Sequence, residues 1–177
     1  MNMQIVVAAP HAARAPSALP RTLKIHLSSG VGKGPTELAA FDAALMNAGV
    51  ANYNLLRLSS VVPPNATIVR ARHQTQPDDH GRRLYVVMSL MRQSGVGRPA
   101  HAGIGWVQQA NNGPGLFVEL HDADRDRLEA DLHATLNAMR AYRDIDFGPV
   151  HTQIASTTCT RQPMCALVVA VFACEPW

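Results

Sequence analysis

The sequence predicts an α+β fold made mostly of strands, with two helices dispersed among them. Apolar residues alternate with polar ones or run continuously in eight segments, whereas helical spacing occurs in only two. The predicted order is β-α-β-β-β-β-β-α-β-β, which favours a layered α+β sandwich over a doubly wound parallel sheet. At 177 residues, the chain is long enough for one compact domain with a substantial core.

The first strand is predicted at residues 23–27, where apolar and polar residues alternate. The glycine-rich stretch 28–34 then predicts a loop. A phosphate-binding P-loop needs glycine five residues before its Gly-Lys pair and Ser or Thr after it. Leu27 and Gly34 occupy those places, so this function is excluded.

The first helix is predicted to begin at residues 35–37, where proline suits the first turn and Glu37 complements the helix dipole. Gly49 is its predicted C-cap. Asp42 lies at the margin of the apolar face, where a carboxylate is ordinarily solvated. That face is predicted from residues at helical spacing: Leu38, Phe41, Leu45 and Ala48.

The remaining strands are predicted at 52–58, 66–70, 84–91, 100–109, 115–120, 150–156 and 165–173. The run 84–91 is continuously apolar, which is typical of a strand covered on both faces. Gly103 and Gly105 indicate a close approach to the backbone of their strand. The second helix is predicted to begin after Asp122 or Asp124 and to end near Arg143.

The composition restricts the class of partner. Hydrophobic residues make up 47% of the chain and charged residues 16%, an imbalance that predicts large buried surfaces or subunit interfaces. The net charge of +3 comes from scattered Arg and Lys, so no nucleic-acid partner is expected. The longest apolar runs are about half a membrane span, so no membrane partner is expected either.

The cysteines and the N-terminal residues indicate the cellular compartment and where the folded domain begins. Cys159, Cys165 and Cys174 are odd in number and show no metal-binding spacing, so we expect buried thiols in a reducing cytoplasm and no metal site. Residues 1–21 contain three prolines and only a short apolar run, which predicts a flexible N-terminal arm. The folded domain is then predicted to span 22–177.

The stretch 52–64 reads NYNLLRLSSVVPP, and its serines Ser59 and Ser60 have no base, metal ligand or phosphate loop beside them in the sequence. Together with TELAAFDAALMNAG at 36–49, it resembles the signature of pyruvoyl-dependent arginine decarboxylases. The match includes the FD pair, the NAG turn, the N-x-N-L pair and the SS-x-x-PP ending. GLFVE at 115–119 extends the resemblance.

The resemblance implies a self-cleaving proenzyme. The Ser60 hydroxyl would attack the carbonyl of Ser59, and β-elimination would then separate residues 1–59, the β chain, from residues 60–177, the α chain. Residue 60 would become a pyruvoyl group. Such a cleavage needs backbone strain and an oxyanion donor more than a strong base, and the resemblance assigns the donor to Asn54.

The resemblance also implies the second reaction, conversion of L-arginine to agmatine and carbon dioxide. The substrate amine would form a Schiff base with the pyruvoyl ketone, so neither pyridoxal phosphate nor a metal is expected. Glu119 would return the proton, which requires an apolar setting supplied by its sequence neighbours. Asp42 would bind the guanidinium. Leu38, Tyr53 and Phe117 are the other residues expected at the substrate.

The family fold implied is a four-layer αββα sandwich assembled as a trimer or hexamer, with active sites between neighbouring subunits. Glu119 and the pyruvoyl group are expected to come from two subunits or to meet near an interface. Ala51 and Tyr53 depart from the family pattern, where glycine and a smaller aliphatic residue are common. The alternatives left open are a pyruvoyl decarboxylase for another amino acid and an unprocessed relative that only binds a ligand or partner.

Overall fold

The computed structural model describes residues 22–177, so the predicted arm at 1–21 lies outside the described residues. The described chain is a mixed α+β fold with two sheets and two α-helices. In chain order the elements are β1 (Leu23–Lys33), α1 (Glu37–Ala48), β2 (Asn54–Arg57), β3 (Val61–Val62), β4 (Ala66–Arg70), a 3-10 turn (Pro77–Asp79), β5 (Arg83–Gln93), β6 (Pro99–Gln108), β7 (Gly115–Asp122), α2 (Arg125–Ala141), β8 (His151–Thr158) and β9 (Met164–Glu175).

The elements form four layers. The first sheet has the strand order β2-β5-β9-β1-β4, and the second has the order β3-β7-β6-β8. A core cluster that includes Ile25, Phe117 and Val168 lies between the two sheets. Helix α1 packs on the outer face of the first sheet, and α2 packs on the outer face of the second. The order is therefore helix, sheet, sheet, helix.

The predicted glycine-rich loop is wrong, because β1 continues through it to Lys33. This part of β1 pairs with β9 and lies beneath α1. A Cβ atom on Gly32 would stand 2.3 Å from the backbone O of Ala40 and 2.3 Å from the backbone N of Ala44. The glycines therefore allow the helix backbone to approach the strand closely.

The predicted ends of α1 are confirmed, and its predicted apolar face is confirmed in part, because Ala48 is buried and Phe41 and Leu45 are half-buried while Leu38 is exposed. The Thr36 hydroxyl caps the first turn by accepting from the Ala39 N–H, and Gly49 is a left-handed C-cap with φ 79°. The residues buried against the first sheet are the alanines Ala40, Ala44 and Ala48. Leu38 is 67% exposed, because only small side chains fit the close approach of α1 to β1.

Helix α2 confirms the predicted period and the Asp124 cap, whose carboxylate accepts from the backbone N–H groups of Asp126 and Arg127. Its buried residues are Leu128, Leu132 and Leu136. Their side chains lie against Gly103 and Gly105 of β6, which is the close approach that those glycines predict. Among the described residues, no helix is long and apolar enough to cross a membrane. The three cysteines form no disulfide.

Candidate active site at the Ser59–Ser60 segment

The Ser59–Ser60 segment crosses from one sheet to the other. On one side of it, β2 pairs in parallel with β5 at the edge of the first sheet, and the Leu58 N–H donates to the Val86 carbonyl at 2.9 Å. On the other side, β3 pairs with β7 at the edge of the second sheet. The predicted single strand 52–58 is therefore shorter, and a separate two-residue strand follows the serines. Ser59 itself is exposed.

Ser60 has an uncommon backbone conformation and is held at both its side chain and its carbonyl. Its φ is 63°, in the left-handed region that a non-glycine residue enters at a cost of about 1–3 kcal/mol. Its Oγ donates to Glu119, at 2.6 Å from Oε1 and 2.8 Å from Oε2. Its carbonyl accepts from the Phe117 N–H at 2.8 Å. Strain and a fixed geometry thus coincide at this residue.

Glu119 places a carboxylate beside the Ser60 hydroxyl, which has no such partner among its sequence neighbours. The register pairs Val61 with Leu116, so Ser60 lies next to the part of β7 that carries Glu119. The carboxylate comes from 59 positions along the chain. Ser60 and Glu119 meet within one chain, so these side chains need not come from two subunits. The other arrangement expected, that they meet near an interface, stays a prediction.

The surroundings of Glu119 differ from the apolar setting expected. Because side chains alternate along a strand, Leu116, Val118 and Leu120 face α2 and not Glu119. Glu119 instead borders a cleft of about 360 Å³ between β5 and β7. The cleft is lined by Arg57, Met88, Ser89, Leu90, Arg92, Glu119 and His121. The site is therefore partly apolar and strongly cationic.

Arg57 and Arg92 are site residues that the sequence analysis missed. Neither forms an ion pair with another residue of the described chain. They lie on different strands, β2 and β5. The buried Ser89 hydroxyl donates to the Leu120 carbonyl and so joins β5 to β7 at this cleft. No local pattern could have indicated these arginines, since the pairing of distant strands brings them together.

Asn54 does not contact Ser59 or Ser60 through a hydrogen bond in the described chain. Its side-chain amide donates to the Gly81 carbonyl at 2.6 Å, and its backbone N–H donates to the Arg82 carbonyl at 2.8 Å. Extended chain from 54 to 58 spans about 13 Å, which separates this amide from the serines of its own chain. The side chain is exposed, so a second subunit could meet it.

Tyr53 faces the 73–82 segment and not the Ser60 cleft, contrary to its expected place at the substrate. Its hydroxyl donates to Asp79 Oδ2 at 2.8 Å and lies 3.4 Å from His73 Nε2. Burial is the main factor that raises the pKa of Tyr53 to about 12. The hydrogen bond from the Gln76 N–H, followed by that from Tyr53, holds the pKa of Asp79 below its ordinary value. Burial lowers the pKa of His73, and His26 adds to the effect.

Phe117 cannot contact a substrate with its side chain, which is fully buried between the sheets. Its ring packs against Trp106 and Phe172, at centroid distances of 6.4 Å and 6.0 Å. The expectation that its side chain lines the substrate site is therefore wrong. Its backbone N–H is the part that reaches Ser60.

Asp42 and Leu38 lie on the outer face of α1, in a surface depression of about 480 Å³. The depression is mainly apolar and is lined by Thr36, Leu38, Ala39, Phe41, Asp42 and Leu45. Asp42 is exposed. Since α1 covers the face of the first sheet that points away from the second, the first sheet separates Asp42 from Ser60 of the same chain.

Comparison with known proteins relates the chain to one family of enzymes. A model of the pyruvoyl-dependent arginine decarboxylase family matches residues 24–175. A pyruvoyl-dependent arginine decarboxylase of Halobacterium salinarum is 44% identical over 101 residues, which cover 56% of this chain and 61% of that protein. Pyruvoyl-dependent arginine decarboxylase 1 of Methanosarcina mazei is 28% identical over 120 residues, covering 67% of this chain and 73% of that protein.

Among solved structures, a pyruvoyl-dependent histidine decarboxylase is 15% identical, with a TM-score of 0.42 and coverage of 60% of this chain and 56% of that one. That likeness is too weak to bear on the site. The family match extends over nearly all of the described residues. The chain belongs to the pyruvoyl-dependent arginine decarboxylase family.

Proposed function

We propose that the chain cleaves itself between Ser59 and Ser60 and that the product decarboxylates L-arginine to agmatine and carbon dioxide. The observation that carries the proposal is the strained Ser60, whose hydroxyl is bonded to both oxygens of Glu119. The membership of the chain in its family supports the choice of reaction and of arginine.

The cleavage follows from ordinary ester chemistry. The Ser60 Oγ bonds to the Ser59 carbonyl carbon, the hydroxyl proton passes to the peptide nitrogen, and the C–N bond breaks to leave an ester and a free amine. Loss of the Ser60 Cα proton then breaks the Cβ–Oγ bond, which releases Ser59 as a carboxylate and leaves dehydroalanine at position 60. Dehydroalanine tautomerises to an imine, and water hydrolyses the imine to a ketone with release of ammonia. Residue 60 thus becomes a pyruvoyl group at the start of the 60–177 chain.

The residues around position 60 fit such a group. Its amide carbonyl is the present Ser60 carbonyl, which the Phe117 N–H holds at 2.8 Å. When formed, the pyruvoyl group supplies a ketone that draws electrons from the bond to the departing carboxylate. Glu119 stands next to this position and is placed to return a proton to the substrate carbon. General acid catalysis of this kind contributes roughly 10²–10⁴-fold.

Arg57 and Arg92 are proposed to attract the α-carboxylate of the amino acid into the cleft. Both are cations without an ion-pair partner in the described chain, and the cleft they line contains Glu119. Attraction of this kind acts before the bond breaks, because the carboxylate becomes neutral carbon dioxide and the electron pair of the broken bond passes to the ketone side. The arginines would therefore lower KM more than they raise kcat.

Asp42, Leu38 and Asn54 are proposed to act on a neighbouring subunit of a trimer or hexamer. Within one chain, the first sheet separates Asp42 from Ser60, and β2 separates Asn54 from it. The exposed Leu38 and the depression around it are suited to an apolar contact. In such an assembly Asp42 would bind the guanidinium, and Asn54 would stabilise the oxyanion formed during cleavage.

Intact mass and denaturing electrophoresis test the first reaction. After incubation, the parent is expected to give fragments 1–59 and 60–177, the second with a carbonyl in place of a free amine. Ser60→Ala is expected to remain a single chain, whereas Ser94→Ala, an exposed serine elsewhere, is expected to cleave like the parent. An unbroken parent chain would refute self-cleavage.

A panel of amino acids, with carbon dioxide and amine products measured, tests the second reaction. Arginine is expected to give agmatine at the highest kcat/KM. If another amino acid is decarboxylated with a higher kcat/KM, the proposed decarboxylation stands but the assignment of arginine as the substrate is refuted.

A further inference from the structure

A buried polar cluster behind the cleavage segment has no part in the reactions described so far. Asp79 is the only buried charged side chain of the described residues, with 9% of its surface exposed. Its Oδ2 accepts from the Tyr53 hydroxyl and from the Gln76 N–H, both at 2.8 Å. Its Oδ1 lies 3.7 Å from Arg82 Nε and 3.8 Å from Cys174 Sγ. A carboxylate with so many partners fixes the segment that carries it.

The 79–82 turn that Asp79 fixes is bonded through Gly81 and Arg82 to Asn52 and to Asn54 at the start of β2. The Gly81 N–H donates to the Asn52 carbonyl at 2.7 Å, and the Gly81 carbonyl accepts from the Asn54 side-chain amide at 2.6 Å. The Arg82 carbonyl accepts from the Asn54 N–H at 2.8 Å. The Trp177 indole also donates to the Gly81 carbonyl, at 2.9 Å. One turn therefore sets the position of Asn52, Tyr53 and Asn54.

We propose that Asp79 is a positioning residue for self-cleavage, which acts by holding Tyr53 and the 79–82 turn so that the Asn54 amide stands in a fixed orientation. The proposal rests on the self-cleavage and on the role of Asn54 proposed above. One amide N–H of Asn54 is bonded to the Gly81 carbonyl, and that bond fixes the direction of the second N–H, the one proposed to donate to the oxyanion. An oxyanion donor stabilises charge well only when it is held in place before the reaction, so loosening the turn slows cleavage without removing any reacting group.

The first measurement is the rate of chain cleavage at 25 °C, followed by denaturing electrophoresis. Asp79→Asn is expected to lengthen the half-time of cleavage at least tenfold. The matched control is Asp78→Asn, which makes the same change at the exposed neighbouring acid and is expected to stay within twofold of the parent. Tyr53→Phe, which removes only the hydroxyl, is expected to slow cleavage at least threefold.

The double variant tests the route. If Asp79 acts through Tyr53, Tyr53→Phe added to Asp79→Asn changes the half-time by less than twofold. A further slowing equal to that of Tyr53→Phe alone would refute this route. If Asp79→Asn does not fold, Tyr53→Phe tests the proposal instead: slowing of cleavage by at least threefold supports it, and slowing by less than threefold refutes it.

Hydrogen–deuterium exchange separates positioning from general destabilisation. In an intact Ser60→Ala chain, Asp79→Asn is expected to increase deuterium uptake in peptides covering 50–58 and 73–82 and to leave α2 unchanged. Deuterium uptake that rises throughout the chain would show a merely structural role for Asp79. In the cleavage assay, an Asp79→Asn chain that cleaves within twofold of the parent would overturn the proposal.

A parent chain that never cleaves would instead refute the proposed function. The exchange experiment would still test whether Asp79 holds the 79–82 turn in place.

Discussion

At the scale of single residues, Ser60 owes its chemistry to its backbone and to one distant partner. A serine hydroxyl is a weak nucleophile without a base, and its sequence neighbours supply none. The left-handed φ of 63° raises the energy of the intact chain, and Glu119 accepts a hydrogen bond from the hydroxyl at 2.6 Å. In the proposed cleavage Ser60 would react only once, so neither feature would have to be regenerated.

Glu119→Gln is expected to separate the two reactions. The glutamine carbonyl can still accept from Ser60, and the strain at Ser60 remains, so the chain is expected to cleave to completion, although more slowly than the parent because an amide is a weaker base than a carboxylate. Glutamine cannot return a proton, so kcat for decarboxylation is expected to fall by roughly 10²–10⁴-fold. Electrophoresis measures the first outcome and carbon dioxide release the second.

Glu37→Gln is the control for that variant, since it changes the same group on the exposed first turn of α1. Its kcat is expected to match that of the parent. A Glu119→Gln enzyme that cleaves normally and turns over at the parent rate would exclude Glu119 as the proton donor.

The residues at the site fall into two groups: those that short sequence motifs identify, and those that only the pairing of distant strands brings to the site. Ser60, Asn54 and Glu119 stand in short motifs, so the sequence alone identifies them as candidates. Arg92 reaches the cleft that contains Glu119 only because β5 pairs between β2 and β9. The same pairing brings Asp79 to Tyr53 and Cys174. The inward direction of Tyr53 likewise depends on Asp79, which is 26 positions away. Such contacts require strand pairing that no local pattern specifies.

At the scale of elements, β1 and α1 are joined by small residues in place of large apolar ones. Gly30 and Gly32 on the strand face Ala40, Ala44 and Ala48 on the helix. Three alanines bury little apolar area, so the contact depends on the close approach of the two backbones. This contact also fixes the helix that carries Asp42.

Gly32→Ala is expected to destabilise the fold by about 3 kcal/mol or more, because the added Cβ would meet backbone atoms of α1 at 2.3 Å. Gly105→Ala is the matched comparison, since its Cβ would meet the end of the Leu136 side chain at 2.9 Å. That side chain can move, so a cost of about 1 kcal/mol is expected. Urea unfolding of both variants in the Ser60→Ala chain measures the difference, and equal costs would contradict this account of the contact.

The boundaries of both helices could be predicted because caps are local: Thr36, Gly49 and Asp124 act on backbone groups within a few residues. The extent of β1 and the burial of Leu38 could not. Glycine in a strand reads as a loop until a helix is known to lie over it, and the face of α1 that is buried depends on that same strand. The order of the sheets depends on similarly distant pairings.

At the scale of the whole molecule, the proposed cut falls between the two sheets but does not divide the fold along them. The 1–59 part contributes β1, α1 and β2 to the first sheet, and the 60–177 part contributes β4, β5 and β9 to the same sheet. Strand β1 lies between β9 and β4, with eight register pairs to β9 from His26 to Lys33. The two products of the proposed cut would therefore share one core, and we expect them to remain together without a covalent link.

Cleavage is expected to change stability while leaving the assembly intact. Under native conditions, the cleaved protein and the intact Ser60→Ala chain are expected to have the same mass, because β1 stays within its sheet. In urea, the cleaved protein is expected to unfold at a lower denaturant concentration, since unfolding now releases two chains and gains their freedom. Its midpoint is expected to rise with protein concentration more steeply than that of Ser60→Ala, which shares every subunit contact and differs only in the intact backbone. Fragments that separate on a native sizing column would contradict the shared sheet, and identical concentration dependence of the two midpoints would contradict unfolding into separate chains.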